Sequence, residues 1–375
     1  MPAPAAAKSN PWRFVWRAEA QSAFDDNVFL LSPSKKAELA TPSVDDVASG
    51  RFADMADARD VVTLFEAGLG FAGPGITGRT LEILPEVAYE WYAQNSARSH
   101  AVIGLRVEQG LPHGSRLRLR GRLTPSYFPK AYLADAVDAN ADGTISGAER
   151  VYQPATYQES RIALDYRFRL ANATRRHPFG AAVQLSGAYE RRVYDTPFRV
   201  RDRSGPEAGL ALLLDLTRSI ALDVEYGFAS YSATPAAQVL VLDEDDAGRD
   251  LNGNGTLTDP NVRVVQQVDV SRIENRLGAA LTVALAKRTH LTVQYERRWR
   301  RYGSEEPFDI AYGGRRDSRH QVGIELETRL AGDLALVLGG DLTDQGLNRS
   351  SDLGGIGDID DYSRHRAFLG LSYQP

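Results

Sequence analysis

The segment from Asp138 to Glu149 places oxygen ligands at a spacing that suits one hard cation. Asp138, Asn140, Asp142, Thr144, Ser146 and Glu149 fall at positions 1, 3, 5, 7, 9 and 12, and Gly143 stands at position 6. Ca²⁺ takes roughly 6–8 oxygen ligands, and a tight loop supplies them from alternate residues when a glycine allows the turn. Thr144 offers its carbonyl and Glu149 both carboxylate oxygens. A second segment repeats the spacing with Asp250, Asn252, Asn254, Thr256 and Thr258, Gly255 at the turn, then Asp259 and Asn261. Asn261 replaces the final acid, which removes a charge and predicts a weaker site, although Asp259 or the run Asp243–Asp246 can compensate.

The other charges fall on alternate positions. Arg116, Arg118, Arg120 and Arg122 are interleaved with Leu117, Leu119 and Leu123; Arg161, Arg167 and Arg169 share one parity, as do Glu82, Glu86 and Glu90, and Glu325 with Glu327. A period of two sends successive side chains to opposite faces of a sheet. One face is therefore ionic and the other aliphatic. That pattern predicts strands in a wall between water and lipid, with these charges lining a wet lumen. Arginines facing acids across such a lumen would set up a transverse field able to orient charged or dipolar solutes; a lumen cross-linked by ion pairs and closed to flow is the competing expectation.

Both oxygen-rich segments resemble the calcium loops of EF-hand and dockerin-like proteins. The resemblance covers the loops alone, since flanking helices are not evident. It implies structural Ca²⁺ as a staple for exposed loops.

Composition excludes several classes. Cysteine is absent, so disulfides, thiolate metal sites and cysteine nucleophiles are all excluded. The six histidines lack metal-ligand spacing, and no nucleophile elbow, P-loop or dinucleotide fingerprint occurs, so no enzyme is expected. A net charge of −5 gives no support to a nucleic-acid partner. No apolar run is long enough for a transmembrane helix, which leaves open a barrel whose strands need only about 9–11 residues each.

Alternation defines about fourteen strand-like segments in the 375-residue chain. They run over 12–24, 61–72, 79–92, 100–109, the arginine segment from 116, 159–170, 180–194, 207–217, 220–228, 270–285, 290–302, 319–330, 334–343 and 363–373; twelve or sixteen strands would follow from merging or splitting weak segments. The expected fold is all-β: a transmembrane antiparallel up-and-down barrel. Its connections alternate long outside and short inside if the N-terminus is periplasmic. The outside set is 31–60, 95–99, 129–156, 195–204, 233–262, 303–316 and 346–361. Both calcium segments fall within it. The segment 31–60 carries alanine and charge at partly helical spacing and could fold into the lumen or lie over the mouth.

Residues 1–10 are expected to form a flexible tail and 11–375 one barrel domain. The start, Met1-Pro-Ala-Pro-Ala-Ala-Ala7, lacks a basic region followed by an apolar one, so export requires a leader already removed.

Asp25-Asp26-Asn27-Val28 at the end of a Trp-rich first strand, the alternating strands and the terminal Tyr373 together resemble bacterial outer-membrane barrels of the porin type. The resemblance is architectural and covers nearly the whole chain. It implies an exported channel in the outer membrane, in contact with membrane lipid and lipopolysaccharide, passing small hydrophilic solutes, with no cofactor beyond Ca²⁺. The alternative expectation is a closed barrel that presents its loops to a protein partner.

Overall fold

The computed structural model describes residues 12–141, 143–172, 178–241, 263–304, 312–349 and 361–373. The expected tail at 1–10 lies outside them, as does the whole second calcium segment with Asp250, Asn252, Asn254, Thr256, Thr258, Asp259 and Asn261.

Fourteen strands close into a barrel. In chain order they are β1 (Arg13–Asp25), β2 (Asp60–Pro74), β3 (Thr80–Tyr92), β4 (His100–Gly110), β5 (Arg116–Tyr127), β8 (Tyr157–Ala171), β9 (Gly180–Tyr194), β10 (Arg203–Asp215), β11 (Ile220–Tyr231), β14 (Arg272–Ala286), β15 (Thr289–Tyr302), β16 (Arg315–Ala331), β17 (Leu334–Arg349) and β18 (Tyr362–Tyr373). Each pairs antiparallel with its neighbour in this order, and β1 also pairs with β18, so no edge remains. All fourteen expected segments are found. Several strands run further toward the long-loop rim than alternation indicated. β10 starts at Arg203, β16 at Arg315, and β17 reaches Arg349.

The outward face is apolar. Phe14, Leu69, Ile103, Ile162, Leu210, Leu281, Ile324, Leu338 and Leu369 are all exposed there. A soluble protein would bury such a continuous belt. Most of the barrel's ionic side chains point the other way, with Arg191, Arg297, Arg301 and Arg316 among the exceptions. Most connections at one rim are short turns and most at the other are long, as 26–59 and 128–156 illustrate; the β3–β4 connection, 93–99, is short although it lies at the long-loop rim.

Two additional hairpins rise from the long connections: β6 (Ala131–Ala136) with β7 (Arg150–Pro154), and β12 (Ala236–Val241) with β13 (Arg263–Val268). Alternation did not resolve them, because each strand is too short to carry a clear period. The first long connection holds two short helices, α1 (Pro33–Ala40) and α2 (Val44–Ser49), each with a serine N-cap, Ser32 and Ser43.

Candidate functional site: the charged lumen and its loop crown

Every lumen residue singled out from the sequence lies on the inward parity of its strand, and the cross-strand register decides which of them meet. β4 stands between β3 and β5, so the glutamate strand and the arginine strand are near neighbours on one side of the barrel. Arg116, Arg118, Arg120, Arg122, Arg167 and Arg169 therefore do not face Glu82, Glu86 and Glu90 across the lumen. In an up-and-down barrel, segments close in sequence stay close in space. Arg106 of β4 takes up the acids of β3, at 3.0 Å from Glu82 and 3.5 Å from Glu86, and Arg17 of β1 reaches Glu86 at 2.9 Å. Glu108 accepts from Arg118 at 2.7 Å and lies 3.5 Å from Arg116. Arg120 pairs with the buried Asp165 at 2.7 Å, and Arg161 with Glu207 at 2.6 Å. Glu90 accepts instead from the Tyr92 hydroxyl at 3.2 Å.

The strand truly opposite β5 is β16, which follows it in the ring after β8, β9, β10, β11, β14 and β15. Glu325 and Glu327 lie on it. The acids that oppose the arginine strand are these two. Among the described residues, Arg122, Arg167, Glu325 and Glu327 enter no ion pair within 4.0 Å. Arginines of β5 therefore stand across the ring from these two carboxylates.

The lumen is unevenly filled. Long arginine and glutamate side chains project from β1 to β8. By contrast, β9, β10, β11 and β14 turn small residues inward, including Ser186, Ala188, Gly209, Ala211, Gly227 and Gly278. At Gly205 a Cβ would stand 1.9 Å from the Ser230 carbonyl oxygen, so close backbone approach demands glycine there. A cavity of about 350 Å³ lies against this wall, lined by Gln184, Ala211, Asp223, Glu225, Gly278, Gln294 and Gln321 among others. A second, of about 170 Å³, adjoins it at Arg161, Asp165, Glu207, Glu225 and Arg276. The missed signal was the small inward residues, which alternate with leucines and so look merely like weak strands.

At the long-loop rim the connections pack into a crown. Val28, Phe29, Leu31, Leu39 and Met55 of the first connection bury against Val62, Tyr92 and Phe128, so that connection lies at the rim. Arg98 is buried with its guanidinium over Phe29, Tyr92 and Tyr127, donating to the Pro129 carbonyl at 2.5 Å. Arg201 stacks on Tyr132 at 3.8 Å and donates to the Tyr312 hydroxyl at 3.3 Å, tying three connections together. Arg315, only 1 % exposed, makes a bidentate pair with Asp317 at 2.7 and 3.0 Å.

The first calcium segment forms the tip of the β6–β7 hairpin. Asp138 Oδ2 accepts from the Gly143 amide at 2.9 Å, and Gly143 takes the left-handed φ of 87° that the turn requires. Glu149 accepts from the Ser146 amide and hydroxyl, both at 2.8 Å, and from the Ala139 amide at 2.9 Å. Those bonds from Ser146 and Ala139 hold its carboxyl below the usual range. Ile145 is buried against Ala136 and Val241, anchoring the loop to the second hairpin, and Arg263 reaches Asp135 at 3.1 Å. Asp142 lies outside the described residues. Among the described residues no group of three or more His, Asp or Glu side chains stands together as a metal cluster, so the calcium expectation for this segment rests on its residue spacing and on the turn formed at Gly143. Asp138 Oδ2 accepts from the Gly143 amide and Glu149 Oε1 from the Ala139 amide, whereas Glu149 Oε2 already accepts two bonds from Ser146.

Fold and wall chemistry define a class: a closed, even-stranded barrel with apolar exterior, ionic interior and long loops at one rim. No protein-family model matches the sequence, and no curated protein does. Similar solved structures include a loop L8 deletion mutant of OmpT, an outer membrane protein of Vibrio cholerae, at TM-score 0.43 and 10% identity over 98% of this chain and 100% of that one. The outer membrane channel DcaP of Acinetobacter baumannii gives 0.42 and 8% over 98% and 99%, and the NanC porin 0.33 and 11% over 75% and 96%. At these identities the likeness concerns barrel architecture, and no residue role transfers.

Proposed function

We propose that this chain is a porin-like channel of the bacterial outer membrane, passing small hydrophilic solutes along the β9–β14 wall. The apolar outward belt supports residence in lipid. The observation that carries the reading is the cavity beside Asp223, Glu225, Gln184 and Gln294, where small inward residues leave polar space while the opposite wall is filled by paired charges. Fourteen strands fall between the roughly 8 that fill their own interior and the 16–18 that leave an open channel, so side-chain size decides. Asp223 and Glu225 give the path an acidic side, which favours cations and dipolar solutes. Planar-bilayer recording of folded protein tests this: stepwise openings are expected, and their absence ends the channel reading.

Calcium belongs to the proposal as a staple. Asp138, Asn140, Asp142, Thr144, Ser146 and Glu149 would hold it at the hairpin tip, where extracellular-type sites of roughly 10⁻⁴–10⁻³ M affinity fill. The ion would supply cross-linking charge there. Asp250 to Asn261 would be the weaker partner site.

A second reading is favoured by the crown. Arg98 and Arg201 knit the long connections together, which suits a closed barrel presenting loops to a protein partner. Silent bilayers with fully folded protein would select it.

A further inference from the structure

The outer face of the wall carries a cationic groove that the channel does not use. On β15 the outward residues run Leu291, Val293, Tyr295, then Arg297, Trp299 and Arg301. On β16 they run Ile324, Val322, His320, Ser318 and Arg316. The apolar belt thus gives way to arginine on adjacent strands, toward the long-loop rim. Arg301 and Arg316 are directly opposite each other in the register. Like charges in that position repel. Inside the barrel the same problem is solved by the protein: Arg298 and Arg319 are also opposite, and both donate to Glu296, at 3.1 and 3.2 Å. Outside, among the described residues, no carboxylate lies within 4.0 Å of Arg297, Arg301 or Arg316. Asp317 beside them is committed to Arg315, and Arg300 to Glu274 at 2.6 Å. Asp344 of β17 is paired in register with His320, not with an arginine.

These side chains border a groove of about 810 Å³ whose floor includes Ile273, Asn275, Trp299 and Ser318. Arg297 also approaches the Trp299 ring, at 5.7 Å. We propose that this groove binds the phosphate groups of an anionic glycolipid headgroup in the outer leaflet. The anion takes the place that Glu296 fills inside, bridging Arg301 and Arg316, with Arg297 as a third donor and Ser318 and Asn275 as neutral ones. Guanidinium suits phosphate through paired N–H donors. The lipid source follows from position: the arginines sit directly above exposed Val293, Tyr295, Val322 and Ile324, so an anion there continues into acyl chains lying on that belt. A basic pocket at a headgroup boundary is a setting in which lipid phosphates are held.

The inference rests on the wall facing lipid and not on conduction, and flotation of the full chain with zwitterionic vesicles reads that premise separately. The deciding experiment titrates detergent-solubilised full-length protein with lipid A carrying both phosphates and with the same lipid dephosphorylated. Wild type should prefer the phosphorylated form by roughly tenfold or more, as charge-assisted hydrogen bonds allow. The triple substitution Arg297→Gln, Arg301→Gln, Arg316→Gln should erase the preference, and Arg191→Gln, an outward arginine elsewhere on the wall, should keep it. Equal binding of the two lipids by wild type, or an unchanged preference in the triple variant, overturns the proposal. Displacement of the lipid by millimolar inorganic phosphate also overturns it, by identifying a soluble-anion site. Should the triple variant fail to fold, Arg316→Gln alone, with the two-lipid comparison on wild type, carries the decision.

Discussion

Arg364 on the last strand donates from Nε to Asp25 Oδ2 on the first at 2.8 Å, so the barrel seam is closed by an ion pair as well as by the backbone ladder. Asp25 is 1 % exposed, and the adjacent Asn27 is fully buried. Asn27 Nδ2 donates to the Leu31 carbonyl at 2.8 Å and to the Ser363 carbonyl at 2.9 Å, while its Oδ1 accepts from the Leu31 amide at 2.8 Å. Asp26 meets the His365 amide and ring, at 2.7 and 2.8 Å. The Asp25-Asp26-Asn27 run is thus the clasp that joins the chain's beginning to its end.

Breaking the clasp should loosen the barrel at one place. Asp25→Ala leaves the Arg364 guanidinium without its carboxylate, and removing one partner of a buried pair costs about 3 kcal/mol. The denaturant midpoint should fall accordingly. An unchanged midpoint would show that the ladder between β1 and β18 suffices.

Asn27→Ala should act more locally. It removes three hydrogen bonds that fold the first connection back against β18, so amide exchange should accelerate at Leu31 while the strand amides stay protected. Uniform exchange across all strands would point instead to global destabilisation.

Ion selectivity should follow the acidic wall. Replacing Asp223 and Glu225 together by lysine should move the reversal potential in a salt gradient toward anion preference. Glu82→Gln should have a smaller effect, because that carboxylate is held by Arg106 at 3.0 Å, whereas Glu225 meets Arg276 only at 3.6 Å and Asp223 enters no ion pair within 4.0 Å among the described residues. Selectivity that ignores Asp223 and Glu225 would place the path elsewhere.

The calcium staple should depend on Glu149 in two ways. Glu149→Gln should weaken Ca²⁺ binding at least about tenfold by isothermal titration, since the position 12 carboxylate is the bidentate ligand of such loops. Without metal, its hydrogen bonds from Ser146 and Ala139 hold the folded-state value below the unfolded one. Their contribution is therefore present above the unfolded value and lost as pH falls through the folded one. Hydrogen exchange at Ser146 should rise only in that acid window; a rise near neutrality would contradict it.

Packing between the two hairpins should control loop proteolysis. Ile145→Ala removes a buried side chain that touches Ala136 and Val241, at a cost of about 2 kcal/mol. Cleavage within the crown should speed up, while the barrel strands remain resistant.

How much of this was legible in the sequence differs by level. Strand number, facing and loop lengths were readable because each rests on a local rule: the pleat alternates every residue, so Leu117 and Arg118 must part whatever the rest of the chain does. Turn positions followed from short linkers such as 332–333 between β16 and β17. The hairpins β6–β7 and β12–β13 were not readable, since strands of five or six residues carry too few alternations and are joined across long loops.

Pairing among charges was decided only by the closed structure. Alternation puts Arg116 and Glu82 on one face, but whether they meet depends on the order and register of the intervening strand, where Arg106 and Glu108 intercept them. The same holds for Asp25, whose partner lies at the far end of the chain. A sequence specifies the direction in which each side chain points through its own backbone geometry; which neighbour it finds there is set by ring closure, and no single segment contains that information.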